Sequence, residues 1–422
     1  MKHNMIAFGW LNFSAADMKR TKEAIAELKV PGSVDELGIS IIRDGFADRL
    51  FPGLNVMQTS LKYYLLLPAM LQEIERKFPK IGENENIRPR LLEKLIEKEC
   101  RFCDAAVKAA RQPEGIIGQE SAGQKIYAKR MSRFPHSIYW HGMDIFGLLP
   151  DHYSTLRDFC EGMRARQRDS DDESRRDRKL PWGEKFAIYR TVTLEPEAPA
   201  GKKIDPLALT EDEYDSLSKK MLDSDAVKGT ALEILLKEPR ELREAGSARE
   251  IRETFKALAF GDVALQAAEF GIFMRCAFLA YNIAYRMYHS SDDEEIVEYY
   301  KELYELRREV SDLSIPPEFG FERKKPGTLE AMKKFHEFIK SGGIGPEPQQ
   351  GILNKIQKMM TDWEKAAGKK VPHLKEPGPQ PEKVDWIGME FLDFRYNTAV
   401  RLFSGDGVNG EGEDHGHGPE TH

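Results

Sequence analysis

Residues 254–288, TFKALAFGDVALQAAEFGIFMRCAFLAYNIAYRMY, form the longest apolar run of the chain. The run nevertheless carries Lys256, Asp262, Glu269 and Arg275. Each charge near the centre of a membrane-spanning helix makes insertion unfavourable by about 2.5 kcal/mol or more. The pattern therefore predicts a long helix buried inside the protein. A buried charge is costly without a partner, so we expect Glu269 and Arg275 each to be paired.

Helical patterns dominate the rest of the chain as well. In residues 90–111 the apolar side chains follow one helical face and the charges lie opposite. Thr210 to Glu213 has the pattern of a capping box, Thr59 and Ser137 are predicted helix N-caps, and Pro68 is predicted to kink a helix or join two. Strand signals are few and short. The sequence predicts a mainly α, multi-helix, two-lobed globular protein with few short strands.

The length of the chain, 422 residues, exceeds what a single hydrophobic core usually organises. Residues 166–179 mix both charge signs with few apolar residues, and a proline-rich stretch follows. We expect an N-terminal helical lobe at 1–165, a charged and proline-rich linker at 166–205 and a C-terminal helical lobe at 206–403. The glycine-rich residues 404–422 are predicted to be a disordered tail.

Composition argues against several classes of protein. Lys and Arg total 63 against 70 acidic residues, so the net charge of −7 does not steer the chain toward nucleic acid, although a local basic patch remains compatible with it. The start, MKHNMIAFGWLNF, lacks the apolar region of a secretory signal. We therefore expect a cytoplasmic protein that does not associate with a membrane and whose 4 cysteines are reduced.

Cys100 and Cys103 have the spacing of half a zinc site or of a redox pair. Both fall on the predicted helix at 90–111, and no second pair of cysteines or histidines lies nearby in the sequence. Cys103 also belongs to the apolar face of that helix. The favoured interpretation is a pair of inert, buried thiols, and no metal or cofactor is predicted.

The segment from Ser121 to Met143 contains no acidic residue and combines basic with aromatic side chains. Such interleaving is typical of surfaces that hold phosphates and stack bases. The alternative is that its glycines form turns and its aromatic residues belong to the core. The candidate nucleic-acid-binding residues are Lys62, Lys125, Lys129, Arg130, Arg133, Tyr139 and Trp140.

Residues 41–68 concentrate charged and polar side chains that suggest a second kind of site. On a helix, Asp44 and Asp48 lie one turn apart on one face, a geometry suited to Mg²⁺ or to an acid–base pair. Arg43 and Gln58 complete the set of candidate catalytic residues. The alternative, a structural ion-pair network with basic residues such as Lys62, is the more common use of such residues.

The chain also contains several long and unusual phrases. They are GWLNFS at 9–14, RDGFADRLFPG at 43–53, Gln58-Thr59, GIIG at 115–118, SIYWHG at 137–142, LTEDEYDSLSKKML at 209–222 and LDFRYNTAVRLF at 392–403. Together they resemble an uncharacterised bacterial family known only as a domain of unknown function. Where that family is expected to have an arginine after the Gln-Thr pair, this chain has Ser60, and a role for an arginine there does not carry over.

The resemblance implies a context rather than a reaction. Members of this family look like accessory genes beside helicases and phospholipase-D-like nucleases in anti-phage defence islands. It therefore implies a non-catalytic accessory or adaptor component of a multi-gene defence system, with a helicase or such a nuclease from the same operon as its partner. Two alternatives stay open: a DNA-binding subunit of such a system, built on the basic–aromatic segment, and a cryptic metal-dependent nucleic-acid enzyme centred on Asp44 and Asp48.

Overall fold

The structure, a computed structural model, describes residues 35–82, 85–126, 130–171, 182–237, 242–289, 294–369, 372–375 and 386–403. Within these ranges the chain forms 14 α-helices, and its one β feature is an isolated bridge between Ala110 and Ile204. The predicted mainly α fold is confirmed. The predicted tail, the GWLNFS phrase and Lys129 lie outside the described residues.

The helices, numbered in chain order, are α1 (Ser40–Leu50), α2 (Tyr63–Lys77), α3 (Arg88–Ala109), α4 (Pro135–Ile145), α5 (Leu156–Asp171), α6 (Glu211–Asp223), α7 (Ala231–Lys237), α8 (Ala248–Ala257), α9 (Asp262–His289), α10 (Glu294–Leu306), α11 (Phe321–Lys324), α12 (Pro326–Lys340), α13 (Gln350–Ala367) and α14 (Tyr396–Phe403).

The described chain separates into two compact units that interleave along the sequence. Unit 1 contains the described residues from Pro52 to Arg243 and from Thr398 onward. Unit 2 contains those up to Phe51 and those from Glu244 to Asn397. These units do not test whether the lobes predicted at 1–165 and 206–403 fold independently, and those boundaries stay a prediction.

Helix α2 is the central helix of unit 1. Its residues from Tyr63 to Leu71 are all buried, which explains the almost uninterrupted apolar sequence YYLLLPAML. Helices α3, α4 and α6 and a 3₁₀ segment at Glu184–Arg190 pack around it. Because neighbours cover it on several sides, it needs no amphipathic pattern.

Part of the predicted linker contributes to the interior of unit 1. Trp182, Phe186 and Tyr189 are buried, and their rings pack edge-to-face or stacked on one another. The Tyr189 hydroxyl donates a hydrogen bond to the Leu148 carbonyl oxygen at 2.9 Å. Residues 182–189 are therefore a packed segment, anchored by three aromatic side chains.

Helix α9 is the central helix of unit 2 and confirms the buried helix predicted from the apolar run. Helices α1, α8, α10 and α13 pack against it. Among the described residues it is the one helix whose length and composition would allow it to cross a membrane, and 72% of that window is buried inside the protein. The core helix of a soluble protein passes the same test, so the predicted cytoplasmic location remains a prediction.

The two charges at the centre of α9 behave differently from each other. Arg275 forms the expected ion pair, a two-pronged contact with Glu302 of α10 at 2.7 and 2.8 Å. Glu269 is only partly buried and makes no hydrogen bond or ion pair with any described residue. The expectation of a partner therefore holds for Arg275 and not for Glu269.

Two local predictions, the N-caps of helices α2 and α4, need correction. Thr59 does not cap α2, because its hydroxyl donates to the Gly115 carbonyl oxygen at 2.7 Å. Ser137 lies inside α4, which begins at Pro135. Pro68 lies inside α2, which rules out the join between two helices, and the predicted kink stays a prediction. The last helix is short because Phe394 and Arg395 have φ values of 52° and 70°, which a right-handed helix cannot contain.

The four cysteines yield a test of this packing. Cys100, Cys103, Cys160 and Cys276 are free and buried. Burial raises the pKa of Cys100 and of Cys103 to about 11, and that of Cys160 to about 12. Because only the thiolate reacts, we expect the native chain near pH 8 to release almost no thionitrobenzoate from Ellman's reagent. The guanidinium-unfolded chain should titrate all four, and a fast-reacting thiol in the native protein would contradict the prediction.

Candidate interaction surface

A buried tyrosine fixes the loop that follows α1. The Tyr64 hydroxyl donates to the Gly53 carbonyl oxygen at 3.0 Å and accepts from the Gln58 side-chain amide at 2.7 Å. The Gln58 amide also donates to Gly53, and its oxygen accepts from the Asn55 backbone N–H at 3.1 Å. Gln58, predicted as a candidate catalytic residue, is 1% exposed and its polar atoms are engaged with this loop.

Tyr139 and Tyr63 bind two further loop segments. The Tyr139 hydroxyl accepts from the backbone N–H of Thr59 at 2.8 Å and donates to the carbonyl oxygen of Ser60 at 2.9 Å. The Tyr63 hydroxyl accepts from the Ile117 N–H at 2.8 Å. Burial raises the pKa of Tyr139 to about 12, so its hydroxyl stays protonated and able to donate. Helices α2 and α4 thus hold the loop at 54–60 and the GIIG turn in fixed positions.

Lys62 belongs to a buried ion pair. Its ammonium donates to both carboxylate oxygens of Glu213 at 2.7 and 2.6 Å, and both side chains are at most 10% exposed. Glu213 also completes the predicted capping box, which the structure confirms: it accepts from the Thr210 N–H, and the Thr210 hydroxyl accepts from the Glu213 N–H. One carboxylate therefore joins the start of α6 to the start of α2.

Asp104 on α3 holds the next loop at two points. Its carboxylate accepts from the Gly123 backbone N–H at 2.7 Å and from the guanidinium of Arg130, with one of those contacts at 3.0 Å. The hydrogen bonds from Arg130 are the largest cause that lowers the pKa of Asp104. The Arg130 side chain is fully buried. Lys125 and Ile126 lie between the two anchor points and are exposed.

A second buried carboxylate was not identified from the sequence. Glu99 on α3 is 2% exposed and accepts from the backbone N–H of His136 at 2.6 Å. It also contacts the Nδ1 atom of the His136 ring at 2.9 Å. This contact satisfies an N–H of the first turn of α4, which lacks a side-chain cap of its own. A glutamate among other charges on an amphipathic helix gives no signal of this role.

The exposed side chains next to these anchors form what we call the loop face: Val56, Lys125, Ile126 and Arg133. Val56 and Ile126 are 62% and 63% exposed, the highest values among the large hydrophobic residues of the described chain. The Arg133 guanidinium contacts the Met57 sulfur, which brings the loops at 54–60 and 130–134 together. The loop face therefore combines apolar and basic side chains on loop segments that buried side chains anchor at Gly123, Arg130 and residues 53–60.

The described members of the predicted nucleic-acid-binding set divide into three groups. Tyr139 and Trp140 are buried, and the Trp140 indole N–H donates to the Tyr153 carbonyl oxygen at 2.8 Å. Lys62 and Arg130 are held in ion pairs with Glu213 and Asp104. Lys125 and Arg133 are exposed. A role for the set in nucleic-acid binding stays a prediction.

Arg43, Asp44 and Asp48 lie on α1 in unit 2, and each of the two acids pairs with an arginine. The Arg43 Nε donates to Asp44 at 2.9 Å, and Asp48 accepts from Arg395 at 2.5 Å. No group of three or more His, Cys, Asp or Glu side chains suited to a metal ion occurs in the part of the chain that the structure describes. Both acids therefore lie in ion pairs, as the structural alternative expected, but Lys62 is not one of their partners, because it pairs with Glu213. A catalytic role for these residues stays a prediction.

The close approach of α4 to α2 depends on Gly142. A Cβ atom at this position would lie 2.6 Å from the Gly53 carbonyl oxygen and would collide with the Tyr64 hydroxyl. We expect Gly142→Ala to destabilise the protein by about 1–3 kcal/mol or more in urea unfolding, because this contact cannot widen without breaking the Tyr64 hydrogen bonds. Gly351→Ala is the matched control: that helical glycine has open space around it, so alanine should stabilise by about 0.5–1 kcal/mol. Equal effects of the two changes would refute the packing argument.

The Lys62–Glu213 pair predicts a specific pattern of unfolding free energies. Lys62→Met leaves a buried carboxylate without its cation, which costs about 3–5 kcal/mol. The double variant Lys62→Met/Glu213→Gln should be more stable than either single variant, because glutamine preserves the capping box and no lone charge remains. Lys228→Met, which removes an exposed pair with Asp225, should change stability little. The prediction would be contradicted if the loss of unfolding free energy in the double variant equalled the sum of the losses in the two single variants.

Comparison with known proteins gives one match. A search of curated proteins and a search of solved structures each found no similar protein. The match came from a third comparison, with models of protein families, and it covers less than half of the chain. It includes the Gln-Thr pair, the GIIG turn and the start of α4, but not the phrases at 209–222 and 392–403. It confirms the expected resemblance to an uncharacterised family for this part of the chain: residues 5–171 match the model of a family of unknown function (DUF6361).

Proposed function

We propose that this protein is a non-catalytic adaptor component of a multi-gene anti-phage defence system. It works with a DNA-processing partner, a helicase or a phospholipase-D-like nuclease encoded alongside it. The loop face of unit 1 binds that partner. The defence context comes from the resemblance of the quoted phrases, and the adaptor role comes from the geometry of the loops.

The observation that carries the proposal is how the polar side chains of unit 1 are used. Gln58, Lys62, Glu99, Asp104 and Tyr139 all bind the protein itself, and most of them bind loop backbone. In an active site, such groups would converge on a space where a substrate fits. Here they converge on loops, and the loops display Val56 and Ile126 to solvent.

The composition of the loop face suits a protein partner. Exposed apolar side chains on preorganised loops lose little conformational freedom on binding, so more of the contact energy appears as affinity. Basic side chains at the margin, Lys125 and Arg133, would steer an acidic partner surface toward it. Within the described residues the loop face has these two exposed cations, fewer than a DNA-binding surface would be expected to need.

The test is co-purification. The tagged full-length chain, co-expressed with the products of the adjacent genes, should retain at least one of them. Val56→Asp/Ile126→Asp should lower the recovered partner by about tenfold or more, because charges placed in an apolar contact are desolvated without compensation. Val297→Asp is the matched control, since Val297 is an exposed apolar residue of α10 outside the loop face, and it should leave recovery unchanged.

Two results would overturn the proposal. One is a purified chain that alone hydrolyses a nucleotide or cleaves a strand, which would make it an enzyme. The other is that the tagged chain recovers DNA rather than a protein. In that case Lys125→Glu/Arg133→Glu should weaken DNA binding and reduce its dependence on salt.

A further inference from the structure

Unit 2 contains a cleft beside α9 that is separate from the loop face. Its lining consists of Leu265, Gln266, Glu269, Phe270 and Phe273 of α9 and of residues 311–314. We call it the α9 cleft. Its volume is about 210 Å³, below the roughly 300–1,000 Å³ of sites that enclose small molecules, so it suits one or two side chains of a larger ligand.

The floor and one edge of the cleft are apolar. Phe270 and Phe273 present ring edges and faces from the helix, and both are otherwise buried, at 2% exposed. Leu265 lies one helical turn from Glu269 and is 37% exposed, in a helix whose remaining large apolar residues are mostly buried. An apolar side chain inserted here would gain contacts with both rings and cover Leu265.

The cleft also contains a carboxylate with no cation. Glu269 is partly buried and has no hydrogen-bond or ion-pair partner among the described residues. The other acidic group, Asp312, pairs with Lys340. A partly desolvated carboxylate beside an apolar floor would bind an incoming lysine or arginine more strongly than a fully exposed one would.

The other wall of the cleft is a stretch of backbone without regular secondary structure. Residues 311–316 have no helical or turn structure, and Ser311, Asp312 and Ser314 are exposed. Within the described residues, no hydrogen bond involves the backbone N–H or carbonyl groups of residues 312–315. The preceding carbonyl, that of Ser311, contacts Nε2 of His336 at 2.7 Å, which fixes the start of the stretch. Such an edge is a template for an added strand.

From these three features together we infer that the α9 cleft binds an extended peptide segment of a partner protein, with alternating apolar and basic side chains. The peptide pairs as a strand with residues 312–315. Because successive side chains of a strand point to opposite sides, it directs its apolar side chains onto Phe270 and Phe273. Its basic side chains point to the other side, and the long stem of a lysine or arginine at the cleft margin lets its charged end reach back to Glu269. This inference does not depend on the proposed function, which uses a surface of unit 1.

The experiment measures binding of two fluorescent eight-residue peptides to the full-length chain, one alternating leucine with lysine and the other leucine with glutamate. The lysine peptide should bind at least about tenfold more tightly, the effect of roughly one charge pair. Because the protein has a net charge of −7, this comparison needs a charge-matched control. Glu269→Lys should lower the affinity for the lysine peptide about tenfold, whereas Glu298→Lys, the same change at an exposed site on α10, should have little effect.

Two further comparisons test the apolar floor and the backbone edge. Leu265→Asp should abolish binding, and Val297→Asp, the matched change on α10, should not. A lysine peptide with alternate backbone amides methylated should lose affinity, because it cannot donate to the edge at 312–315. Three results would each overturn the inference. They are an equal loss of affinity for the lysine peptide in Glu269→Lys and Glu298→Lys, equal affinities of the methylated and unmethylated peptides, and no binding of the lysine peptide to the wild-type chain. Melting temperatures of all four variants confirm that they are folded.

Discussion

Unit 1 depends on one physical constraint: a loop that approaches the interior must have its backbone N–H and carbonyl groups satisfied. Three tyrosine hydroxyls on two helices meet this requirement. Tyr64 binds the carbonyl of Gly53, Tyr139 binds both groups of the segment at 59–60, and Tyr63 binds an N–H of the GIIG turn. Because the three tyrosines are at most 2% exposed, breaking such a bond would leave a buried hydroxyl without that partner. The positions of the exposed residues on these loops follow from this network.

Unit 2 applies the same principle with other side chains. Asn282 of the central helix α9 exchanges two hydrogen bonds with the backbone of Ile387, at 2.8 and 3.0 Å. Asn397 does the same with Ala245, at 2.9 Å for both bonds. The buried carboxylate of Glu364 accepts from the Tyr281 hydroxyl and from the N–H groups of His373 and Leu374. In both units, side chains on packed helices make hydrogen bonds to the backbone of neighbouring segments, bonds that a paired strand would provide in a sheet.

The parts of this structure that could be predicted from the sequence are those set by near neighbours in the chain. The apolar run predicted α9, helical periodicity predicted α3, and the Thr210–Glu213 capping box is present as expected. The predictions that failed concern groups whose partners are distant: the hydroxyl of Thr59 is drawn to Gly115 rather than to its own helix. Lys62 and Arg130 could be recognised as basic but not as paired, because Glu213 lies 151 residues from Lys62. The left-handed residues Phe394 and Arg395 had no local signal either, since neither is a glycine.

The order in which the chain emerges from the ribosome matters for unit 2. Helix α1 is synthesised early, yet its helical partner α9 comes more than two hundred residues later, and the residue that binds Asp48 is 347 positions downstream. At about 5–20 residues per second, that interval lasts roughly 20–70 seconds. During it, the buried side chains of Phe46 and Leu50 lack the helix against which α1 packs. Nascent α1 therefore stays without its packing partner until α9 has been synthesised, and a chain cut at the end of the family match would leave the buried face of this helix exposed to water.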